Sequence, residues 1–276
     1  MIDLHAHILP QLDDGPKTLA ESVEMCRRSY QDGIRTIVAT PHILDGVYPN
    51  HRPTILAKVQ ELNEEIKKCG VHSSAFGVKN SDSGMSCSLN SELRTHHSEL
   101  PFVVLPGADV HFSSDMLRLC ENGGIVTVNN KGCYLMLEFD HKGIPYRAED
   151  VLFRLMARGI VPIITHPERN LEIGRRPQRY GEMIRRGCLG QLTAMSLTGE
   201  FGPRVKQTAE KLLKNRLVHI IASDAHSLTR RPPILSLAVS EAEKIVGKEE
   251  ARRMVTDYPQ AVIEGRRPDV PEPTLI

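Results

Sequence analysis

Short β-branched apolar runs alternate with amphipathic helical stretches along most of the chain, and this alternation limits the fold more than any other feature. Met1 to Leu4 is a short apolar start, and Pro10 to Pro16 is a turn-rich loop. Thr18 and Glu21 then stand at capping-box spacing. Leu19, Val23, Cys26 and Tyr30 share one helical face, and Gly33 follows where a helix C-terminal glycine belongs. Ile34 to Ala39 reads as a buried strand. Ile55, Val59, Leu62, Ile66 and Cys69 mark a second helix, ended at Gly70. Further strands are expected at Phe102 to Leu105, Tyr134 to Leu137, Val161 to Thr165, Leu189 to Thr193 and His219 to Ala222. Helices are expected near 113–121, 147–158, 175–186 and 204–215, with two more, 235–246 and 248–255, closing the chain. About seven strands, most followed by a helix, predict an α/β fold with a parallel sheet. At 276 residues the sheet is expected to close into a distorted barrel forming a single domain. From 73 to 91 the pattern lapses into Ser, Gly and Asn, which reads as a flexible insertion or long loop. No internal repeat is evident.

Composition excludes several classes. Lys and Arg number 35 against 34 Asp and Glu, so a broad basic surface for nucleic acid or membrane is not expected. No run approaches the ~20 apolar residues of a membrane span. MIDLHAHILP has no basic segment leading into an apolar one, so no secretory signal is expected. The 6 cysteines are scattered without a CxxC pair, as reduced thiols of a cytoplasmic protein would be. None begins a C-x₅-R motif, so a cysteine-nucleophile phosphatase is excluded.

The unusual count is 12 His, and their positions follow the strands. In parallel α/β folds the C-terminal strand ends line the active site. Asp3-Leu4-His5-Ala6-His7 leaves the first strand, with His5 and His7 on one side of an extended backbone. Thr40-Pro41-His42 ends the second, Gly107-Ala108-Asp109 follows the third, and Glu138 ends the fourth. His166 begins the HPERN run after the fifth, and Ser223-Asp224-Ala225-His226 ends the last. Asp13-Asp14-Gly15 lies in the first loop, near enough to fold back. A lone histidine after a strand is most often structural. Imidazoles and carboxylates at so many separate strand ends instead suit Mn²⁺, Fe²⁺ or Zn²⁺, and they exceed the needs of one ion. His111 and His141 also follow strand ends and are candidates to line the pocket, whereas His51, His72, His96 and His97 read as surface residues.

DLHAHILPQLDDGP, TPH, GAD, LEF, THPERN and ASDAH, in that order, resemble the polymerase and histidinol phosphatase (PHP) superfamily. MIDLHAHILPQLDDGPKT, RTIVATPH and IASDAHSLTRRPP are similar, more narrowly, to its bacterial capsule and exopolysaccharide tyrosine-protein phosphatases. The resemblance runs from Met1 to about Gly265, interrupted by the Ser-rich segment. It implies a distorted (β/α)₇ TIM-like barrel, the PHP fold, holding three divalent metals: Mn²⁺ first, with Fe²⁺, Zn²⁺ or Mg²⁺ as alternatives. Carried over to this chain, one ion falls to His5, His7, Asp109 and Asp224. A second shares Asp109 and takes Glu138 and His166, and a third takes Asp14, His42 and His226. The family usually has Glu at the bridging position, where this chain has Asp109. Either that strand end moves inward or bridging weakens.

The implied chemistry is phosphoryl transfer to water. Three divalent ions outweigh four carboxylates, so the site attracts a phosphate dianion. Bound metal lowers the pKa of water toward ~7 and provides a nucleophile without Cys or Ser. Arg169 and Arg231 stand beside two ligand motifs, where the resemblance implies phosphate contact; Arg230 ranks lower. Glu168 reads as a support for Arg169 or as an exposed loop acid. The implied substrate is phosphotyrosine in a protein, and the implied partner a bacterial tyrosine autokinase controlling polysaccharide export. The alternatives are a small-molecule phosphatase such as histidinol phosphatase, or a binding scaffold without turnover, which only Asp109 favours. A polymerase-type exonuclease is disfavoured by the near-neutral charge.

Overall fold

The computed structural model describes residues 1–71, 101–113 and 115–274. The insertion expected at 73–91, with His72, His96 and His97, lies outside the described residues. The chain begins β1 (Ile2–Ala6), α1 (Leu19–Gln31), β2 (Thr36–Ala39), β3 (His42–Ile43) and α2 (Arg52–Lys68). It continues β4 (Val103–Pro106), β5 (Asp109–His111), α3 (Met116–Glu121), β6 (Tyr134–Glu138), α4 (Ala148–Met156) and β7 (Val161–Thr165). There follow α5 (Leu171–Arg175), α6 (Gln178–Arg185), β8 (Leu189–Thr193), α7 (Ala194–Thr198), α8 (Pro203–Lys214) and β9 (Ile220–Ala222). The last helices are α9 (Ser236–Val246), α10 (Lys248–Arg253) and α11 (Asp257–Glu264).

Local chemistry accounts for these elements. Thr18 caps α1, its side chain accepting from Glu21 N–H while the Glu21 carboxylate accepts from Thr18 N–H. Beyond the helix, Gly33 adopts φ 91°, as its position anticipates. The interior runs of β1, β6, β7 and β8 are buried and continuous, as strands covered on both faces require. Helix α11 was not anticipated from sequence. Its Pro259 falls in the first turn, where a missing N–H breaks no intrahelical bond, and Tyr258, Ala261 and Val262 are buried.

All pairings between named strands are parallel. One sheet has the order β1-β2-β4 and the other β3-β5-β6-β7-β8-β9. Their junctions are strand breaks rather than gaps. Pro41, which has no N–H to give a ladder, separates β2 from β3, and its carbonyl accepts from Asp109 N–H at 3.1 Å. Gly107 lies between β4 and β5, so close to Val38 that a Cβ there would stand 2.6 Å from Val38 Cγ1. On the other side, Ala6 bridges Ala225 in the parallel sense. Asp224 N–H donates to His5 O and His7 N–H to Ala225 O, both at 2.8 Å. Buried Asp3 fastens this junction, accepting from Ser223 N–H at 3.0 Å and from the Ser223 hydroxyl. Burial pushes the Asp3 carboxyl up to about 6 against those same hydrogen bonds. No helix among the described residues is long and apolar enough to cross a membrane.

Candidate metal centre

The expected site residues converge at one end of the parallel sheets. β1 delivers His5 and, just beyond it, His7; β3 opens on His42, β5 on Asp109, and β6 ends on Glu138. His166 follows β7, while Asp224 and His226 follow β9. His166 and Asp224 take left-handed backbone, φ 34° and 53°, which turns the chain sharply as it leaves each strand. Asp14, in the loop after β1, folds back to the same place.

Asp109 sits at the middle. Its Oδ2 lies 3.6 Å from His5 Nε2, 3.6 Å from His42 Nδ1 and 3.9 Å from His166 Nε2. The shorter side chain therefore still reaches three imidazoles, because its strand end is fully buried among them. Glu138 faces His166 and His42, each at 3.5 Å. Asp14 Oδ1 lies 3.3 Å from His226 Nε2 and 3.9 Å from His42 Nε2. Asp224 divides its carboxylate. Oδ1 faces His5 Nε2 and His7 Nε2, both at 3.5 Å, and Oδ2 accepts from Arg169 Nη1 at 2.7 Å and from Arg231.

The electrostatics follow from this packing. Burial would raise the Asp224 carboxyl, but His5, Arg231, His166 and Arg169 together hold it well below the usual range. Asp109 is likewise held low against burial by His5, His166 and His42. The hydrogen bond with His226 draws Asp14 down to about 2. Burial and the surrounding imidazoles push His7 far below its ordinary value, so it is neutral and able to ligate.

Two observations show that these residues suit cations. His7 Nδ1 lies 2.7 Å from Asp13 Oδ2, an atom that can only accept, so the ring proton sits on Nδ1. His5 Nδ1 is held the same way, 2.9 Å from Gln191 Oε1, which also faces His166 N–H. Both Nε2 lone pairs then point at one another across 3.1 Å, a repulsive pairing unless an electrophile lies between them. That separation fits two ligands on one ion at ~2.1 Å. The second observation is Asp109 Oδ2, a fully buried carboxylate oxygen with no hydrogen-bond partner among the described residues. Ligand atoms within 4.8 Å of one another form three overlapping groups: His7, Asp14, His42 and His226; His5, His7 and Asp109; and His42, Asp109 and Glu138.

Asp13 and Gln191 are the residues the sequence reading passed over as site members. Asp13 was visible as half of an Asp-Asp-Gly run, and Gln191 as the one amide within a buried strand. Of the secondary candidates, His111 joins the site, its Nδ1 3.6 Å from Glu138 Oε2, and that carboxylate raises its pKa. His141 lies 3.4 Å from Arg169 Nη2. Glu168 is no exposed loop acid: it is buried, accepting from Thr193 N–H and the Ser196 hydroxyl. Arg230 and His51 are exposed.

Comparisons with known proteins give the chain a family. A family model described as "Capsular polysaccharide synthesis, CpsB/CapC" matches residues 1–79 and 79–264. The chain is 32% identical over 249 residues to tyrosine-protein phosphatase YwqE of Bacillus subtilis (strain 168), covering 90% of this chain and 86% of that protein. It is 29% identical over 269 residues to tyrosine-protein phosphatase CpsB of Streptococcus agalactiae serotype III (strain NEM316), covering 96% and 98%. A crystal structure from work on YwqE of Bacillus subtilis and CpsB of Streptococcus pneumoniae, described as unique metal-dependent tyrosine phosphatases, superposes with a TM-score of 0.85. It shares 30% identity and covers 100% of this chain and 99% of that one.

Proposed function

The chain belongs to the CpsB/CapC family of capsular polysaccharide synthesis, within the PHP superfamily, and on that premise we propose that it is a metal-dependent hydrolase of phosphotyrosine in proteins. It is an enzyme of the phosphoric monoester hydrolase class. The observation that carries the reading is the division of Asp224 between the imidazole cluster and the two guanidinium groups, which puts cation ligands and phosphate donors side by side.

In this reading His5, His7, Asp14, His42, Asp109, Glu138, His166, Asp224 and His226 hold three divalent ions, Mn²⁺ foremost, with Fe²⁺, Zn²⁺ or Mg²⁺ as alternatives. When bound, such ions activate water near neutral pH and polarise phosphoryl oxygens. The chain supplies the rest. Asp13 and Gln191 fix the tautomers of His7 and His5 and so aim both Nε2 atoms inward. Arg169 and Arg231 take the equatorial phosphoryl oxygens. Arg231 Nε is a buried donor without an acceptor among the described residues, which suits an incoming anion. Asp224 Oδ2 spaces the two guanidinium groups and keeps them beside the ligand cluster.

The same reading extends to the whole protein. The hydrogen bonds joining β1 to the segment after β9, with β2–β3 and β4–β5 each taken as one broken strand, support a distorted (β/α)₇ barrel of a single domain. The resemblance to capsule and exopolysaccharide tyrosine-protein phosphatases, beside a family model for capsular polysaccharide synthesis, favours a bacterial tyrosine autokinase as the protein substrate, and the free cysteines among the described residues favour the cytoplasm as its setting. In the test, purified protein with Mn²⁺ releases phosphate from p-nitrophenyl phosphate and phosphotyrosine peptides, and EDTA abolishes the release. His5→Ala or Arg231→Ala lowers kcat/KM by about 10²-fold or more. Activity that persists in chelator contradicts the metal role, and preference for histidinol phosphate over the peptides contradicts the protein substrate.

A further inference from the structure

Phe201 occupies the short turn between α7 and α8, flanked by Gly199 at φ 99° and Gly202 at φ 91°. The turn closes through Gly202 N–H to Gly199 O at 2.9 Å. The ring is half-buried, yet it is not among the side chains packed against the apolar core. Its neighbours are cationic instead. The Arg169 Cζ lies 5.1 Å from the ring centroid and the Arg231 Cζ 5.8 Å, so one phenyl ring adjoins both guanidinium groups assigned to phosphate. Both groups also bond to buried Asp224.

A phosphate ester held by both guanidinium groups keeps its phosphorus toward the ligand cluster and its ester oxygen on the far side, as in-line displacement requires. The group leaving from that oxygen then lies beside the two arginines, and Phe201, which adjoins both, offers it apolar surface. An aryl group there gains ring–ring contact and buries area, whereas a short alkyl group gains little. We propose that Phe201 is a specificity-determining residue, the wall on which the substrate's aromatic ring rests, so that it favours aryl over alkyl phosphate esters. The proposal rests on the phosphotyrosine phosphatase reading.

The test compares wild type, Phe201→Ala and Phe201→Tyr in Mn²⁺. In Phe201→Ala, kcat/KM for a phosphotyrosine peptide falls about tenfold, mostly through KM, and Phe201→Tyr restores it. Benzylphosphonate binding, measured by calorimetry, weakens by a similar factor. Methylphosphonate binding and the inhibition constant for inorganic phosphate change less than twofold, and the melting temperature holds because the ring lies outside the core. Equal losses for benzylphosphonate, methylphosphonate and inorganic phosphate would show that Phe201 merely props the arginines, and would overturn the proposal. Unchanged aryl affinity and KM would overturn it as well. A wild type that binds phosphate but hydrolyses no phosphate ester instead refutes the phosphatase reading, and the proposal falls with it.

Discussion

Single side chains at opposite ends of the strands carry different burdens. At the strand-entry end, His219 is buried just before β9, and its Nδ1 accepts from Gly190 N–H at 3.2 Å. Burial pulls its pKa down to about 4 from an ordinary 6.5. The folded state therefore excludes a proton that the unfolded chain takes up. The stability tied to neutral His219 is full above pH 6.5 and is lost as pH falls toward 4, amounting to about 3 kcal/mol at ~1.4 kcal/mol per pH unit. His219→Asn keeps an acceptor for Gly190 and removes the titration. Urea unfolding between pH 7 and 4 should show a flatter decline in that variant, and parallel declines would contradict the assignment. At the other end, Asp13 and Gln191 act through His7 and His5. Asp13→Ala and Gln191→Leu should each weaken Mn²⁺ binding about 10–100-fold by titration calorimetry, with the far-ultraviolet circular dichroism unchanged. The imidazoles and carboxylates that cluster were legible in sequence because all but Asp14, which lies in the loop after β1, stand at or just beyond an expected strand end. Their orienting partners were not: a carboxylate beside Asp14 and an amide inside a buried run become partners only once β1 and β8 face the same interior.

Elements were legible where periodicity and caps coincide. Helix α1 is the clearest, since Thr18, Glu21 and Gly33 mark both of its ends. Thr18→Ala removes the side-chain acceptor for Glu21 N–H and should cost about 1 kcal/mol in urea denaturation, whereas Thr18→Asp should cost little. A loss near zero for the alanine variant would mean the cap is redundant. Strands β6, β7 and β8 fall almost where their apolar runs predict. The departures have local causes. Pro41 and Gly107 split what read as simple strand ends into the separate short strands β3 and β5, and that split brings His42 level with Asp109. Helix α11 hid behind Pro259, which reads as a breaker unless its place in the first turn is known. The expected helix at 175–186 is shorter at its start, because Pro177 precedes α6.

At the scale of the molecule, the functional claim depends on joining the first strand to the last. The order of motifs along the chain foretold which residues would meet. It did not foretell that Asp3, spaced like a further ligand beside His5, turns to Ser223 and fastens the junction instead. Asp3→Ala should therefore destabilise the whole fold and weaken metal binding together, because it loosens the segment that presents Asp224 and His226. A set of imidazoles and carboxylates packed this tightly should also make stability depend on metal: Mn²⁺ raises the melting temperature and EDTA reverses the rise. The most direct measurement is the metal content per chain of protein purified without chelator, loaded with Mn²⁺ and exhaustively dialysed. Close to three ions per chain, falling on Asp109→Asn substitution, is the expected result; fewer than one ion per chain would mean that these side chains meet without forming a metal centre.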